Sequence, residues 1–110
     1  MPKDPSWLAQ AKRGLLEVCI LNLLKRESMY GYQIVKRLTM IPGLVVTEGT
    51  VYPLISRLKK EGLLKTSFVE SPHGPVRKNY TLSPAGVKRC REINEMWKEL
   101  SSAVHKIIGS

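Results

Sequence analysis

Between Thr47 and Gly62 the chain sets Thr50, Tyr52, Ser56, Arg57 and Lys60 against an apolar series of Val51, Leu54, Ile55 and Leu58. Hydroxyls and fixed cations grouped in this way suit hydrogen bonding and ion pairing with a polyanion. Gly49 and Pro53 belong to the same run: a glycine permits close backbone approach, and the start of a helix turns N–H groups toward phosphate. A second basic group, Arg77 and Lys78, stands near His73, and a third set, Tyr32, Gln33 and Lys36, lies earlier in the chain. Catalytic chemistry finds no comparable footing. There is no phosphate-cradling glycine loop, no nucleophile beside a base and no carboxylate pair. His73 and His105 are single histidines without metal-ligand spacing, and Cys19 and Cys90 form no CxxC pair. The expectation is a chain that is not an enzyme and holds no metal or cofactor.

Composition points the same way. The 110 residues carry 18 Lys and Arg against 9 Asp and Glu, a formal charge of +9. Such an excess on one small domain favours nucleic acid, then an anionic membrane surface. Its distribution is uneven: residues 1–26 carry +3, residues 27–62 carry +2, residues 63–91 carry +5 and residues 92–110 carry −1. No apolar run reaches the roughly 18 residues of a membrane-spanning helix. The first dozen residues lack the apolar stretch of a secretory signal. The sequence therefore predicts a cytoplasmic protein with reduced thiols and no membrane partner.

The elements that position these groups follow from spacing and punctuation. A helix is predicted from about Ser6 to Arg26, apolar on nearly every face in its second half. A surface helix shows one apolar stripe, so this one needs cover on several sides. A second helix is predicted from about Met29 to Thr39, with Ser28 as its cap. Leu44 to Val46 reads as a short strand or an extended turn. Val51, Leu54, Ile55 and Leu58, at i, i+3, i+4 and i+7, predict a third helix that closes at Gly62. A hairpin follows, Leu64 to Glu70 and Val76 to Leu82, joined through residues 71–75. The last helix runs from about Pro84 to Ile108, with Ser83 as its cap. On it Cys90, Ile93, Trp97, Leu100, Val104 and Ile107 repeat every three or four residues, a heptad seam. At 1.5 Å per residue this helix is roughly 37 Å long, too long for its own domain to cover. A partner helix is the physical inference, with Leu15, Ile93, Trp97, Leu100, Val104 and Ile107 as dimer contacts. The fold class is mainly α with a small β-hairpin: a winged helix-turn-helix plus a long C-terminal dimerisation helix. Residues 1–83 are expected to form the DNA-binding domain and residues 84–110 the dimerisation helix. In that class the third helix enters the major groove, the second crosses the backbone and the hairpin reaches the adjoining groove or phosphates.

Four stretches carry a closer resemblance: Tyr30-Gly31-Tyr32-Gln33-Ile34, Glu48 to Leu58, Glu61-Gly62-Leu63-Leu64, and Arg77 to Gly86. They resemble the PadR family of transcriptional regulators, over about Leu15 to Leu100. Around the third helix the family pattern is a Gly-Thr-Leu-Tyr-Pro-Leu-Leu-x-Arg-Leu run, from which only Val51 and Ile55 depart. The short C-terminus resembles the small subfamily. The resemblance implies a homodimeric repressor of double-stranded DNA. Its operators would be inverted repeats, often with ATGT-like half-sites, and its last helix would pack on the partner's first. Arg77 and Lys78 match the family's basic pair, and Tyr32 matches a family position.

Alternatives stay open at several residues. Thr50 and Tyr52 are expected at the DNA, with Tyr52 as a half-buried packing residue the other reading. Arg57 and Lys60 suit phosphate contacts or solvated charges. Tyr32 suits a phosphate bond or a brace for the third helix, and Tyr30 a core position. Trp97 reads as dimer core, or, by resemblance to a multidrug-sensing branch, as a platform for a flat aromatic effector. In that second case Val18, Asn22, Cys90, Asn94 and Ser101 line the cavity with it. The rival to DNA binding is a winged-helix protein-interaction module with no direct contact to a duplex.

Overall fold

The computed structural model describes residues 6–71 and 73–109. The order is α1 (Ser6–Arg26), β1 (Met29–Tyr30), α2 (Gly31–Thr39), α3 (Glu48–Lys60), β2 (Leu64–Ser71), β3 (Gly74–Leu82) and α4 (Pro84–Ile108). Leu16, Ile20, Leu21 and Leu24 of α1 form the floor of the core. Onto them pack Ile34, Val35 and Leu38 of α2, and Val51, Leu54, Ile55 and Leu58 of α3. Cys90 seals one side from α4. The rest of α1 is half-buried at Leu15, Val18, Cys19 and Leu23, so the helix is only partly covered, as its apolar surround predicted.

The second helix begins later than Ser28 suggested. Met29 and Tyr30 form β1 and pair antiparallel with Tyr80 and Asn79 of β3. Burial of Met29, to 2% exposure, rewards that pairing. Tyr30 then caps α2, and its N–H donates to Oε1 of Gln33 at 2.8 Å. The short strand thus precedes α2 instead of following it. Leu44 to Val46 is turn and irregular chain, the second of the two readings that the sequence left open. Val45 has a φ of +45°, which is unfavourable for a β-branched residue. Its carbonyl accepts from Lys12 Nζ at 3.0 Å.

Helix α3 has Thr47 as its N-cap residue. Pro53 therefore falls in the second turn and cannot donate to the carbonyl of Gly49. The C-terminus closes as a Schellman motif. Gly62 takes a φ of +79°, Leu63 N–H donates to the Leu58 carbonyl and Gly62 N–H to that of Lys59, both at 3.0 Å. Leu58 and Leu63 are buried, which adds the apolar contact of that motif.

The sheet has the order β1-β3-β2. Leu64 faces Leu82, Phe68 faces Lys78 and Val69 faces Arg77, with an irregularity between Val69 and Ser71. Strand β3 begins at Gly74, two residues before the predicted Val76, so the wing turn is tighter. Ser83 joins the wing to α4: its Oγ accepts from Gly86 N–H at 3.0 Å and donates to the Gly62 carbonyl at 2.6 Å. A Cβ at Gly86 would lie 2.0 Å from the carbonyl oxygen of Leu63. Only glycine lets α4 start this close to the end of α3.

Helix α4 is covered at Cys90 and partly at Ile93 and Asn94, then leaves the body. Trp97 is 44% exposed and Ile107 80%, with Leu100 and Val104 between those values. Its first turns therefore belong to the core packing of the preceding residues, and only its later turns project.

Two substitutions test the junction. Gly86→Ala should cost about 1–3 kcal/mol through overpacking. Ser83→Ala should cost about 1–2 kcal/mol through the lost cap. Urea unfolding measures both, and an unchanged midpoint for Gly86→Ala would contradict the close approach of α3 and α4.

Candidate nucleic-acid interface

The buried residues of α3 fix which side chains face outward. Gly49, Pro53, Ser56 and Lys60 follow the spacing 4-3-4, lie opposite the buried series and are exposed. Thr50 and Arg57 form one flank of this line, Tyr52 and Lys59 the other. Three of the four outermost residues are small, so the helix backbone can come close to a groove floor. The sequence placed Ser56 on this polar face without singling it out as a contact, and Lys59 did not emerge from motif and charge alone.

Arg57 is engaged within the protein. Its Nη2 lies 3.5 Å from Glu17 Oε2 and its Nε 3.7 Å from Glu61 Oε2. Arg89 of α4 reaches the other oxygen of Glu17 at 3.6 Å. Its side chain is still 49% exposed, which leaves it within reach of a phosphate. Lys60 remains exposed on the outward line.

On the Tyr52 flank an open cleft of about 510 Å³ lies between the start of α2, α3 and β3. Tyr30, Gly31, Tyr32, Tyr52, Tyr80, Arg77 and Lys78 line it. Gly31 makes room for this arrangement, since a Cβ there would sit 3.0 Å from the Tyr52 ring. The Arg77 guanidinium stands over the Tyr30 ring at 5.5 Å, and Lys36 Nζ over the Tyr32 ring at 5.9 Å. Both are cation–π contacts. Burial, and behind it the neighbouring Tyr52, pushes the Tyr80 hydroxyl up, so it stays a protonated donor at neutral pH. Tyr30 is thus half-buried at the cleft, not part of the core. Tyr80 was missed by sequence reasoning because only the strand register brings it beside Tyr52.

The remaining predicted residues divide. Gln33 is exposed, but its carbonyl oxygen is committed to the cap of α2. Tyr32 and Lys36 sit exposed on one helix. Arg77 and Lys78 are both exposed and both line the cleft. His73 is exposed at the wing turn.

Away from this face, Val18, Asn22, Cys90 and Asn94 meet between α1 and α4. Asn22 donates to Asn94 Oδ1 at 2.7 Å and Asn94 donates back to Asn22 Oδ1 at 2.8 Å. Asn22 also donates to the Val18 carbonyl at 2.7 Å, and Cys90 Sγ donates to Asn22 Oδ1 at 3.6 Å. These groups satisfy one another. Ser101 Oγ donates to the Lys98 carbonyl at 3.2 Å, one turn past the open ring of Trp97. Burial pushes the thiols of Cys19 and Cys90 up, so both are protonated at neutral pH. Among the described residues no three His, Cys, Asp or Glu gather as a metal site. No described helix is long and apolar enough to cross a membrane.

Comparison with known proteins agrees with this geometry. The sequence pattern of the transcriptional regulator PadR-like family matches residues 20–92. A PadR-like transcription factor from Bacteroides fragilis is 41% identical, with 94% of this chain and 99% of that one covered and a TM-score of 0.76. A PadR-like transcriptional regulator from Bacillus cereus is 33% identical, with coverages of 92% and 98% and a TM-score of 0.81. A Streptococcus transcriptional regulator is 31% identical, with coverages of 94% and 98% and a TM-score of 0.79. These relatives are transcriptional regulators and not enzymes. The chain belongs to the PadR-like family of transcriptional regulators, a family that acts through DNA.

Proposed function

We propose that the chain is a repressor that binds an inverted-repeat operator as a homodimer in the cytoplasm. The observation that carries this reading is the outward face of α3, flanked by the tyrosine-lined cleft with Arg77 and Lys78 at its rim. In it, α3 enters the major groove, where Thr50, Ser56 and Lys60 meet base edges and Gly49 and Pro53 let the backbone approach. A backbone phosphate sits at the cleft. Tyr32, Tyr52 and Tyr80 supply hydroxyl donors there, and Lys36, Arg77 and Lys78 supply charge. Gln33 keeps the start of α2 in place, and His73 sits at the tip of the wing beside the duplex. Residues 1–83 read the DNA while residues 84–110 pair two copies.

Pairing is supported by the exposed seam of Trp97, Leu100, Val104 and Ile107 on α4, and by Leu15 and Ile93, which the body covers only in part. Two copies present two α3 helices, and occupancy of a promoter then excludes polymerase. A flat aromatic effector is the proposed release signal. Trp97 offers it an open ring, and Val18, Asn22, Cys90, Asn94 and Ser101 are its nearby surroundings. Such a ligand acts only by binding one dimer geometry more tightly than another.

Selection of duplexes from a random pool, at two salt concentrations, tests the reading. An inverted repeat should be enriched, and log affinity should fall linearly with log salt as counterions leave. A pool without any enriched repeat would contradict it. On the selected duplex, Thr50→Ala and Ser56→Ala should each relax preference at one base step, by about 1–3 kcal/mol. Arg77→Ala and Lys78→Ala should instead weaken all duplexes alike and reduce the salt slope by about one per contact. Uniform losses for Thr50→Ala would remove it from base readout. For the effector, titration with planar aromatic compounds should quench Trp fluorescence and release the duplex together. Quenching without release would separate Trp97 from regulation.

A further inference from the structure

We propose that Glu17 is a positioning residue for DNA recognition. It fixes the recognition helix α3 against the pairing helix α4 and so sets the distance between the two half-sites. This rests on the reading of the chain as a dimeric DNA binder.

Glu17 is the one acidic residue of α1, on a chain with twice as many basic as acidic groups. Its side chain is only 13% exposed, and it stands between elements that do different work. One carboxylate oxygen faces Arg57 of α3 at 3.5 Å and the other faces Arg89 of α4 at 3.6 Å. The link is thus a single carboxylate shared by a DNA-reading helix and a dimerising one. Neither bond is short, so the attraction is chiefly that of a half-desolvated charge between two guanidinium groups. Without that charge the two cations face each other and repel.

Arg57 also has a second partner, Glu61, at 3.7 Å. The guanidinium is therefore tethered on both sides, along α3 and across to α1. A second fastening, the Asn22–Asn94 amide pair, already ties α1 to α4 farther along. Val51, Leu54, Ile55 and Leu58 seat α3 in the core, and Glu17 adds the charged contact that trims its direction against α4. Tilt matters because a dimer presents two copies of α3, and half-site spacing is set by the separation and direction of those helices. One inserted base pair moves a half-site by about 3.4 Å and turns it by about 35°. A tethered α3 rejects that change, and a loosened one follows it.

The test uses Glu17→Gln, which keeps the shape and removes the charge, and Arg89→Gln, which cuts the link without touching α3 or the wing. The probes are the inverted repeat recovered from the random pool and the same duplex with one base pair inserted between its halves. The parent chain should prefer the original spacing. Both variants should lose about fivefold of that preference, with a relative gain on the altered duplex. A merely structural defect lowers affinity for both duplexes by the same factor and leaves the ratio untouched. Circular dichroism at the assay temperature identifies folded variants, and the exposed Arg89 carries the test where Glu17→Gln does not fold. A spacing ratio equal to the parent's in the folded variants would overturn the inference. Failure of the pool to yield any repeat would instead overturn the DNA reading beneath it.

Discussion

The constraint on which the rest depends is the apolar length of α4. Its first turns close the core through Cys90, held by the Ser83 cap and by the bare Cα of Gly86 against Leu63. From Trp97 onward the same helix carries a heptad seam into solvent. A row of Trp, Leu, Val and Ile side chains at that spacing is stabilised by a second helix, not by water. In our reading, covering that seam brings in a second copy, and a second copy brings a second α3. The basic excess then gains a direction. It is densest over residues 63–91 and reverses to −1 over residues 92–110, so the seam is not a surface that a polyanion would seek.

The DNA-facing side is built by subtraction as much as by charge. Small residues along the outer line of α3 remove bulk, while Gly31 removes a Cβ that would push Tyr52 aside. The tyrosines gather because β1, α2, α3 and β3 converge at one point, where strand pairing puts Tyr80 opposite Met29. Arg77 and Lys36 lie over rings and are thereby partly ordered in advance. A cation held in place loses less freedom on meeting a phosphate than a free side chain does.

Much of the fold was legible in the residues. Val51, Leu54, Ile55 and Leu58 marked the inner face of α3, Ser83-Pro84 marked the start of α4, and Gly62 marked a C-terminus whose positive φ only glycine favours. What was not legible depended on distant partners. Met29 and Tyr30 form a strand only because β3 offers an edge, whereas Ser28 looked locally like a helix cap. Leu44 to Val46 had strand-forming residues but took the turn that the same stretch also allowed. The Glu17 partner of Arg57 could not be read locally because it lies 40 residues earlier, on α1. The family resemblance foresaw the element types and the basic pair on the wing. It gave no sign of the ion pairs of Glu17 or of Tyr80 in the cleft.

The most direct test of the account is the stoichiometry of the complex. Sedimentation equilibrium of the chain with a duplex recovered from the random pool measures it, with the 12.4 kDa chain mass as reference. Two chains should be bound per duplex at every chain concentration that gives a complex. A stable complex of one chain with one duplex would contradict it.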